Sequence, residues 1–268
     1  MQAIALVARA AFKESVRDRV PYSMVIFAVL LIAASYLISQ LTAGQDLKII
    51  KDLGLAALLI FGVLIAVFIG IGLVAKEVER RSIFALLTKP VTRGQFIVGK
   101  YAGLVTTLVV NLSVMTVAFY AVLFYMDATT VETIKAGWPA PAVDPRLLIA
   151  IVLIVAELML VIALAMFFST FSSPLLSALL TLGVWVAGHF NSDFRNFQAV
   201  LDSPAAAWFG RVVYYVLPNL APFDVKAEVV YGQPVAWSHI VLTLLYATVY
   251  VALLLLAAHG VFRRRDFK

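Results

Sequence analysis

The sequence contains no cysteine, only three histidines and few charged residues. Without cysteine, the chain forms no disulfide, offers no thiolate to a metal and carries no thiol redox motif. Charged residues make up 13% of the 268 residues, whereas roughly 25% is typical of soluble proteins. The first 20 residues also lack the apolar core and the cleavage site of a signal peptide. This composition excludes a soluble globular domain and a disulfide-stabilised one.

Long apolar runs are what the sequence has instead, because 63% of its residues are hydrophobic and the mean hydropathy is +1.00. A helix of about 20 residues crosses a bilayer, and six segments reach or approach that length. They are residues 22–41, 53–75, 101–126, 147–168, 174–190 and 240–262. The alternating strands of about ten residues that build a membrane barrel are absent. We therefore predict an all-α integral membrane protein with six transmembrane helices, in a single domain over residues 1–268.

Lysines and arginines are unevenly distributed between the predicted loops. Four lie in the first 20 residues, six in residues 76–100 and four after residue 262, against seven in the three intervening loops together. Basic residues are enriched on the cytoplasmic side of membrane proteins, so both termini and residues 76–100 are predicted to be cytoplasmic. The net charge of +6 thus indicates membrane topology, and we expect no nucleic-acid partner.

Two further segments lie outside the predicted spans. Residues 1–20 are predicted to form an amphipathic helix in the cytoplasmic interface, the alternative being a frayed basic tail. Arg9, Lys13 and Arg17 recur at helical spacing, and the apolar residues fall on the other side. The loop 191–236 is rich in tyrosine, tryptophan and proline, which favours a partly folded segment at the outer interface. It is large enough to bind an outer-face protein.

The stretch RGQFIVGKYAG raises the question of nucleotide binding. Gly94, Gly99 and Lys100 fit the first seven positions of the phosphate-binding loop G-x-x-x-x-G-K. The eighth position, where that loop needs a Ser or Thr to hold magnesium, is Tyr101. No strand precedes the motif, which lies at the mouth of a membrane helix. We therefore predict no nucleotide site, and expect Lys100 to reach lipid headgroups and Tyr101 to lie at the lipid boundary.

The loop that contains this stretch, residues 76–100, is the most informative part of the sequence. Ser82 is placed to cap a short helix that Pro90 ends, and Thr92 to cap a second helix that runs into the third span. The short helix has an apolar side formed by Ile83, Phe84, Leu86 and Leu87. Either a partner protein covers that side or the helix lies on the bilayer surface.

The loop also carries a pattern of residues in a fixed order. These are Glu77, Glu79, Ser82, Leu86, Leu87, Pro90, Val91, Thr92, Arg93, Phe96, Gly99 and Lys100. In this pattern the loop resembles that of type-2 ABC transporter permeases. The segments YVLPNLAPFD (215–224) and FFSTFSSP (167–174) are similar to the same family. The resemblance covers essentially the whole chain, and is greatest to single-domain permeases, including those linked to multi-copper enzyme maturation.

The resemblance implies a fold like that of type V ABC exporters, in which transport and ATP hydrolysis are carried out by separate subunits. Two permease copies would pair, and each would bind a cytoplasmic ATPase that holds ATP and magnesium, so this chain would bind no cofactor and would not be an enzyme. A coupling helix at about residues 79–89 would sit in a groove of the ATPase. The implied coupling residues are Glu77, Glu79, Arg80, Arg81, Ile83, Phe84, Leu86, Leu87, Lys89, Pro90 and Arg93. The implied location is the inner membrane of a bacterium or archaeon.

Glu157 is the one acidic residue inside a predicted span. A carboxylate within a membrane is costly and marks a functional hypothesis. It either lines the transport pathway or is a hydrogen-bonded structural residue, with Asn111, Ser113 or Thr116 of the third span as candidate partners. His239 and His259 are about 30 Å apart along one helix and cannot share an ion, so we expect no metal site.

Two other classes of function remain as alternatives. A secondary transporter or channel would work without an ATPase, and would need a charged site or broken helices near the membrane midplane. An intramembrane enzyme would need ligands or catalytic groups clustered within the spans, where Glu157 stands alone. No substrate is favoured, because the apolar faces suit lipids, drugs, polysaccharides and peptides equally.

Overall fold

The computed structural model describes residues 2–39, 45–79, 92–190 and 217–264. Seven long helices make up most of them. They are α1 (Gln2–Arg17), α2 (Arg19–Ser39), α3 (Asp46–Glu79), α4 (Arg93–Thr129), α5 (Leu147–Ser169), α6 (Pro174–His189) and α7 (Trp237–Arg264). Short turns of helix occur at Glu132–Lys135, Ala221–Phe223 and Lys226–Val230. The described residues include no β-strand, which confirms the predicted all-α class.

Five of these helices are long and apolar enough to cross a membrane. The apolar stretches are Arg19–Ser39, Asp46–Gly72, Gly94–Thr129, Leu147–Ser169 and Trp237–Val261. The sixth predicted segment corresponds to α6, which is apolar but has only 16 residues. The chain is therefore an integral membrane protein, as its composition predicts.

The helices run up and down, so that the bundle has two ends. At one end, α1 packs against the start of α4, and Gly94 near that start lies beside His259 near the end of α7. We refer to this end as the α1 face. At the other end, Lys51 near the start of α3 reaches the connection between α4 and α5. We refer to that end as the cavity face, after the cavity described below.

The centre of the bundle is formed by α3 and α5, whose apolar stretches are each mostly buried. The two helices run parallel and in close contact. A Cβ atom on Gly62 would lie 2.4 Å from Leu158 Cδ1, and one on Gly70 would lie 2.6 Å from Ala165 Cβ. By contrast, α2 and α7 expose most of their apolar residues. A soluble protein would bury such residues, whereas a membrane protein presents them to lipid.

On the cavity face, a buried lysine fixes the connection between α4 and α5. Lys51 is fully buried, and its Nζ donates to the carbonyl oxygen of Pro141 at 2.8 Å. Tyr120 Oη donates to the carbonyl oxygen of Asp144 at 3.2 Å, and the Asp144 carboxylate accepts from the backbone N–H of Arg146 at 2.9 Å. These bonds satisfy polar groups at the point where the chain enters α5.

Candidate functional site

Three of the predicted coupling residues lie at the α1 face, at the end of α3 and the start of α4. Glu77 and Glu79 belong to the last turn of α3, and Arg93 is the first residue of α4. The other predicted coupling residues fall in 80–91, outside the described residues. They are Arg80, Arg81, Ile83, Phe84, Leu86, Leu87, Lys89 and Pro90. Their roles therefore stay predictions.

The start of α4 has the cap that its sequence predicts. Thr92 has an extended backbone, its Oγ1 accepts from the backbone N–H of Gln95 at 3.3 Å, and the Gln95 side chain accepts from the Thr92 N–H at 3.1 Å. This reciprocal pair is a capping box, which satisfies donors that a helix start leaves free. The second helix of the predicted loop is thereby confirmed.

The glycines that resemble a phosphate-binding loop are instead helix-packing residues. Gly99 and Gly103 are one helical turn apart in α4 and face α1. A Cβ atom on Gly99 would lie 2.9 Å from the carbonyl oxygen of Ile4, and one on Gly103 would lie 2.5 Å from that of Ala8. Glycine lets the two backbones approach this closely, as small residues do in membrane helix pairs. Because this stretch is helical, its N–H groups do not form a loop around phosphates.

The same packing shows that the expected positions of two side chains were wrong. Lys100 is only 3% exposed, with its Nζ 5.0 Å from the centre of the Phe96 ring, so it does not extend towards headgroups. Tyr101 is 9% exposed, and its hydroxyl donates to the carbonyl oxygen of Met159 in α5 at 3.2 Å. Both side chains point into the bundle, because α1 and α5 cover the faces of α4 that carry them.

Glu157 is the centre of a polar cluster between α5 and α6. It is 1% exposed, and its Oε1 accepts a hydrogen bond from Trp185 Nε1 at 2.7 Å. The same oxygen lies 3.5 Å from His189 Nε2. The other nitrogen of that ring, Nδ1, is 3.1 Å from the carbonyl oxygen of Trp185. The indole and imidazole rings meet edge to face, with centroids 5.1 Å apart.

The residues of the third span that we expected to hydrogen-bond to Glu157 do not do so. Asn111 is buried, and its Nδ2 donates to no group within the described part of the chain. Ser113 donates to the carbonyl oxygen of Val109 in its own helix. One signal in the sequence points to the true partners. Trp185 and His189 are four residues apart, so a helix places both on one face.

A cavity of about 560 Å³ opens beside this cluster. The lining residues are Lys48, Asp52, His189, Ala221, Asp224, Lys226, Ala227, Glu228 and Tyr231. Lys226 pairs with Asp224 at 3.5 Å, and Lys48 lies over the Tyr231 ring, 4.8 Å from its centre. Among the residues that the structure describes, no three His, Cys, Asp or Glu side chains are grouped as a metal site requires.

The segment before α7 closes the bundle around the end of α6. The backbone N–H of Leu220 donates to the carbonyl oxygen of Gly188 at 2.9 Å. Tyr246 Oη accepts from the N–H of Asn219 at 2.8 Å, and His239 Nε2 lies 2.8 Å from the carbonyl oxygen of Pro222. The motif PNLAPF (218–223) thus ties α6 to α7.

Comparison with known proteins agrees with this architecture. The family model described as ABC-2 family transporter protein matches residues 5–193, which include α1 to α6, the loop between α3 and α4, and the Glu157 cluster. No curated protein gives a significant match. Proteins of this family are membrane components that are not themselves catalytic. The chain therefore belongs to the ABC-2 transporter family and is a membrane permease of the ABC type.

Proposed function

We propose that this chain is the transmembrane subunit of an ABC exporter, driven by ATP hydrolysis on a separate cytoplasmic ATPase. The observation that carries the proposal is the length of α3 and α4. With 34 and 37 residues, they measure about 51 and 55 Å, at roughly 1.5 Å per residue. The hydrocarbon core of a bilayer is only about 30 Å thick, so both helices extend beyond it.

The loop between these two helices is suited to contact a soluble partner. The apolar stretch of α3 ends at Gly72, and the helix continues to Glu79, which adds about 10 Å. Residues 80–91 therefore follow a helix end that lies beyond the apolar part of the bundle. Their apolar side chains, Leu86 and Leu87 among them, need a cover, and a groove on an ATPase would supply it. Movement of that ATPase would act directly on α3 and α4.

The assembly and location follow from the same family. We infer two copies of the permease, each with one ATPase that binds ATP and magnesium, in the inner membrane of a bacterium or archaeon. The α1 face is the cytoplasmic one, because the N-terminal segment, residues 76–100 and the C-terminal tail carry most of the lysines and arginines. Export is the direction that the resemblance to type-2 permeases implies.

Co-purification of the ATPase tests the coupling role. Leu86→Asp and Leu87→Asp place a charge on the apolar side of the loop helix, and are expected to reduce the recovered ATPase at least tenfold. Val131→Asp is the matched control, because Val131 is exposed on the cavity face and an added charge there leaves the ATPase bound. Equal recovery with all three variants, each monodisperse in detergent, would contradict the proposal.

One observation favours a secondary transporter as the second candidate. The ionisable residues Glu157 and His189 meet inside the bundle, and such residues often form proton or ion pathways. The two functions differ in their need for nucleotide. A secondary transporter moves its substrate in vesicles that contain this chain alone, whereas an ABC permease needs the ATPase and ATP.

A further inference from the structure

The cluster of Glu157, Trp185 and His189 has no part in the proposed coupling to an ATPase. Leu158, next to Glu157, packs against Gly62 in the middle of α3, far from the end of that helix at Glu79. Glu157 is ten residues from the start of α5 and twelve from its end, which places it near the middle of the membrane. Trp185 Nε1 and His189 Nε2 approach the same oxygen of this buried carboxyl group. The chemistry of these three side chains indicates what the cluster binds.

The hydrogen bonds of His189 determine where its protons lie. The carbonyl oxygen of Trp185 can only accept, so the contact at 3.1 Å requires a proton on His189 Nδ1. His189 Nε2 is buried and has no hydrogen-bond partner among the described residues. It faces Glu157 Oε1 at 3.5 Å. If neither atom held a proton, two lone pairs would face each other, and the contact would be repulsive.

We propose that Glu157 and His189 form a proton-binding site that opens to the cavity face. In its stable state the pair holds one proton, either as imidazolium with carboxylate or as imidazole with carboxylic acid. Loss of that proton brings an ionised carboxylate against a nitrogen lone pair. Gain of a second proton leaves an imidazolium without its counter-ion. Both changes weaken the contact between α5 and α6, so proton occupancy controls how firmly α6 is held.

The cavity gives the pair its route to one side of the membrane. Glu157 is enclosed, whereas the His189 side chain is 22% exposed and lines the cavity. The helix α6 has 16 residues and α5 has 23, so α6 is shorter by about 10 Å. The cavity lies at its end. The His189 ring therefore lies between the cavity and Glu157, and a proton from that face reaches the pair at the ring.

Charged groups from each neighbouring element face the same cavity. They are Lys48 and Asp52 of α3, and Asp224, Lys226 and Glu228 of the segment before α7. Lys226 and Asp224 are paired with each other at 3.5 Å. His239 of α7 is turned to the carbonyl oxygen of Pro222. Charged side chains of both signs favour water in the cavity, through which protons can enter. Among the described residues, no third side chain joins Glu157 and His189 as a metal site would require.

Trp185 provides a direct reporter for the test. The chain has four tryptophans, and the triple replacement Trp138→Phe, Trp208→Phe and Trp237→Phe leaves Trp185 alone. A protonated imidazole ring quenches an adjacent indole more strongly than a neutral one does. In proteoliposomes, the fluorescence of Trp185 is therefore expected to fall through one transition as the pH is lowered. Neither an ATPase nor a substrate is needed, so failure of this test is distinct from failure of the proposed function.

Three variants in that background connect the transition to the pair. His189→Gln is expected to abolish it. Glu157→Gln keeps an oxygen that accepts from the indole, but it removes the charge that stabilises the imidazolium. The transition is then expected to move to a lower pH. His239→Gln is the matched control and leaves the transition in place. A signal that does not vary with pH, or a transition that Glu157→Gln leaves unmoved, would overturn the proposal.

The direction of access is tested in the same vesicles. The lumen is buffered at a fixed pH, the external pH is varied, and protease cleavage of a C-terminal tag reports the orientation of the chain. Vesicles with the cavity face outward are expected to respond to the external pH at once. A response confined to vesicles of the opposite orientation would refute the route through the cavity.

Discussion

Individual buried polar residues in this bundle are satisfied by neighbours of different kinds. Lys51 donates to a backbone carbonyl oxygen near one end of the bundle. Glu157 accepts from an indole N–H deep between two helices. The Glu157 contact is deeper in the bundle, where lipid supplies no hydrogen-bond donor and the nearby donors come from Trp185 and His189 of α6. Trp185 is thus more than a filler of space in α6.

The variant Trp185→Phe tests whether the hydrogen bond from the indole to Glu157 stabilises the protein. The replacement keeps an aromatic ring but removes the N–H, and the loss of a hydrogen bond to a buried carboxyl group costs about 1–3 kcal/mol. A lower thermal unfolding midpoint in detergent is expected. Trp237→Phe is the control, because Trp237 is 76% exposed, and exposed substitutions change stability by no more than about 0.5 kcal/mol. Identical midpoints would show that the indole donor adds no stability.

The sequence predicts that Glu157 matters but not which residues it meets. Its cost in a membrane follows from its type and its place in an apolar run. Its partners depend on how α5 is rotated about its axis and on which helix lies beside it. A hydropathy profile gives no information on either. Asn111, Ser113 and Thr116 are candidates by sequence because they are polar residues of the third span. Hydropathy does not indicate Trp185 and His189 as partners, because α6 is short and both residues lie near its end.

At the scale of helices, the contact between α1 and α4 explains a misleading motif. Gly99 and Gly103 lie where the carbonyl oxygens of Ile4 and Ala8 approach α4. The charged residues Arg9, Lys13 and Arg17 of α1 are turned outwards. The predicted division of α1 into an apolar and a basic side is therefore confirmed, and its apolar side rests on α4. The position of α1 at the membrane interface stays a prediction.

The double variant Gly99→Ala, Gly103→Ala is expected to loosen α1. The added methyl groups would meet backbone atoms at 2.9 and 2.5 Å, and overpacking of this kind costs about 1–3 kcal/mol. Trypsin should then cleave after Arg9, Lys13 or Arg17 several times faster. Gly183→Ala in α6 is the control, because nothing lies within 4 Å of a Cβ there. Unchanged cleavage of the double variant would mean that α1 is not held by this contact.

Helix positions were predictable, but the lengths of α3 and α4 were not. Apolar runs locate the membrane segments, because lipid requires them. Both helices continue beyond those runs through residues such as Asp46, Lys51 and Arg93. Polar residues at a helix end look like loop residues in a hydropathy profile. The Thr92 capping box was the one signal that extended α4 to its true start.

At the scale of the whole molecule, the bundle has two chemically different faces. The α1 face is formed by α1, the end of α3, the start of α4 and the end of α7. The sequence segments at these helix ends carry most of the lysines and arginines. The opposite face holds the mixed-charge cavity. This asymmetry predicts that the α1 face is the cytoplasmic one.

The absence of cysteine makes that orientation directly measurable. Single variants Leu6→Cys and Val131→Cys introduce one thiol each at residues that are 68% and 64% exposed, on opposite faces. A maleimide that does not cross membranes is expected to label Val131→Cys in intact cells, and Leu6→Cys only after permeabilisation. The unaltered chain serves as the background, since it has no thiol. The reverse pattern of labelling would place the α1 face outside.

The short helix α6 also has a consequence for the surrounding lipid. As a helix of 16 residues it covers about 24 Å, less than the hydrocarbon thickness of about 30 Å. Leu175 and Leu179 on its surface are exposed, so acyl chains contact it directly. A bilayer thins beside a segment that is too short for it, at a cost of fractions of a kcal/mol per ångström. In membranes with longer acyl chains, we therefore expect a larger cost of bilayer deformation beside α6. We expect little effect on α5, because it is mostly buried by other helices.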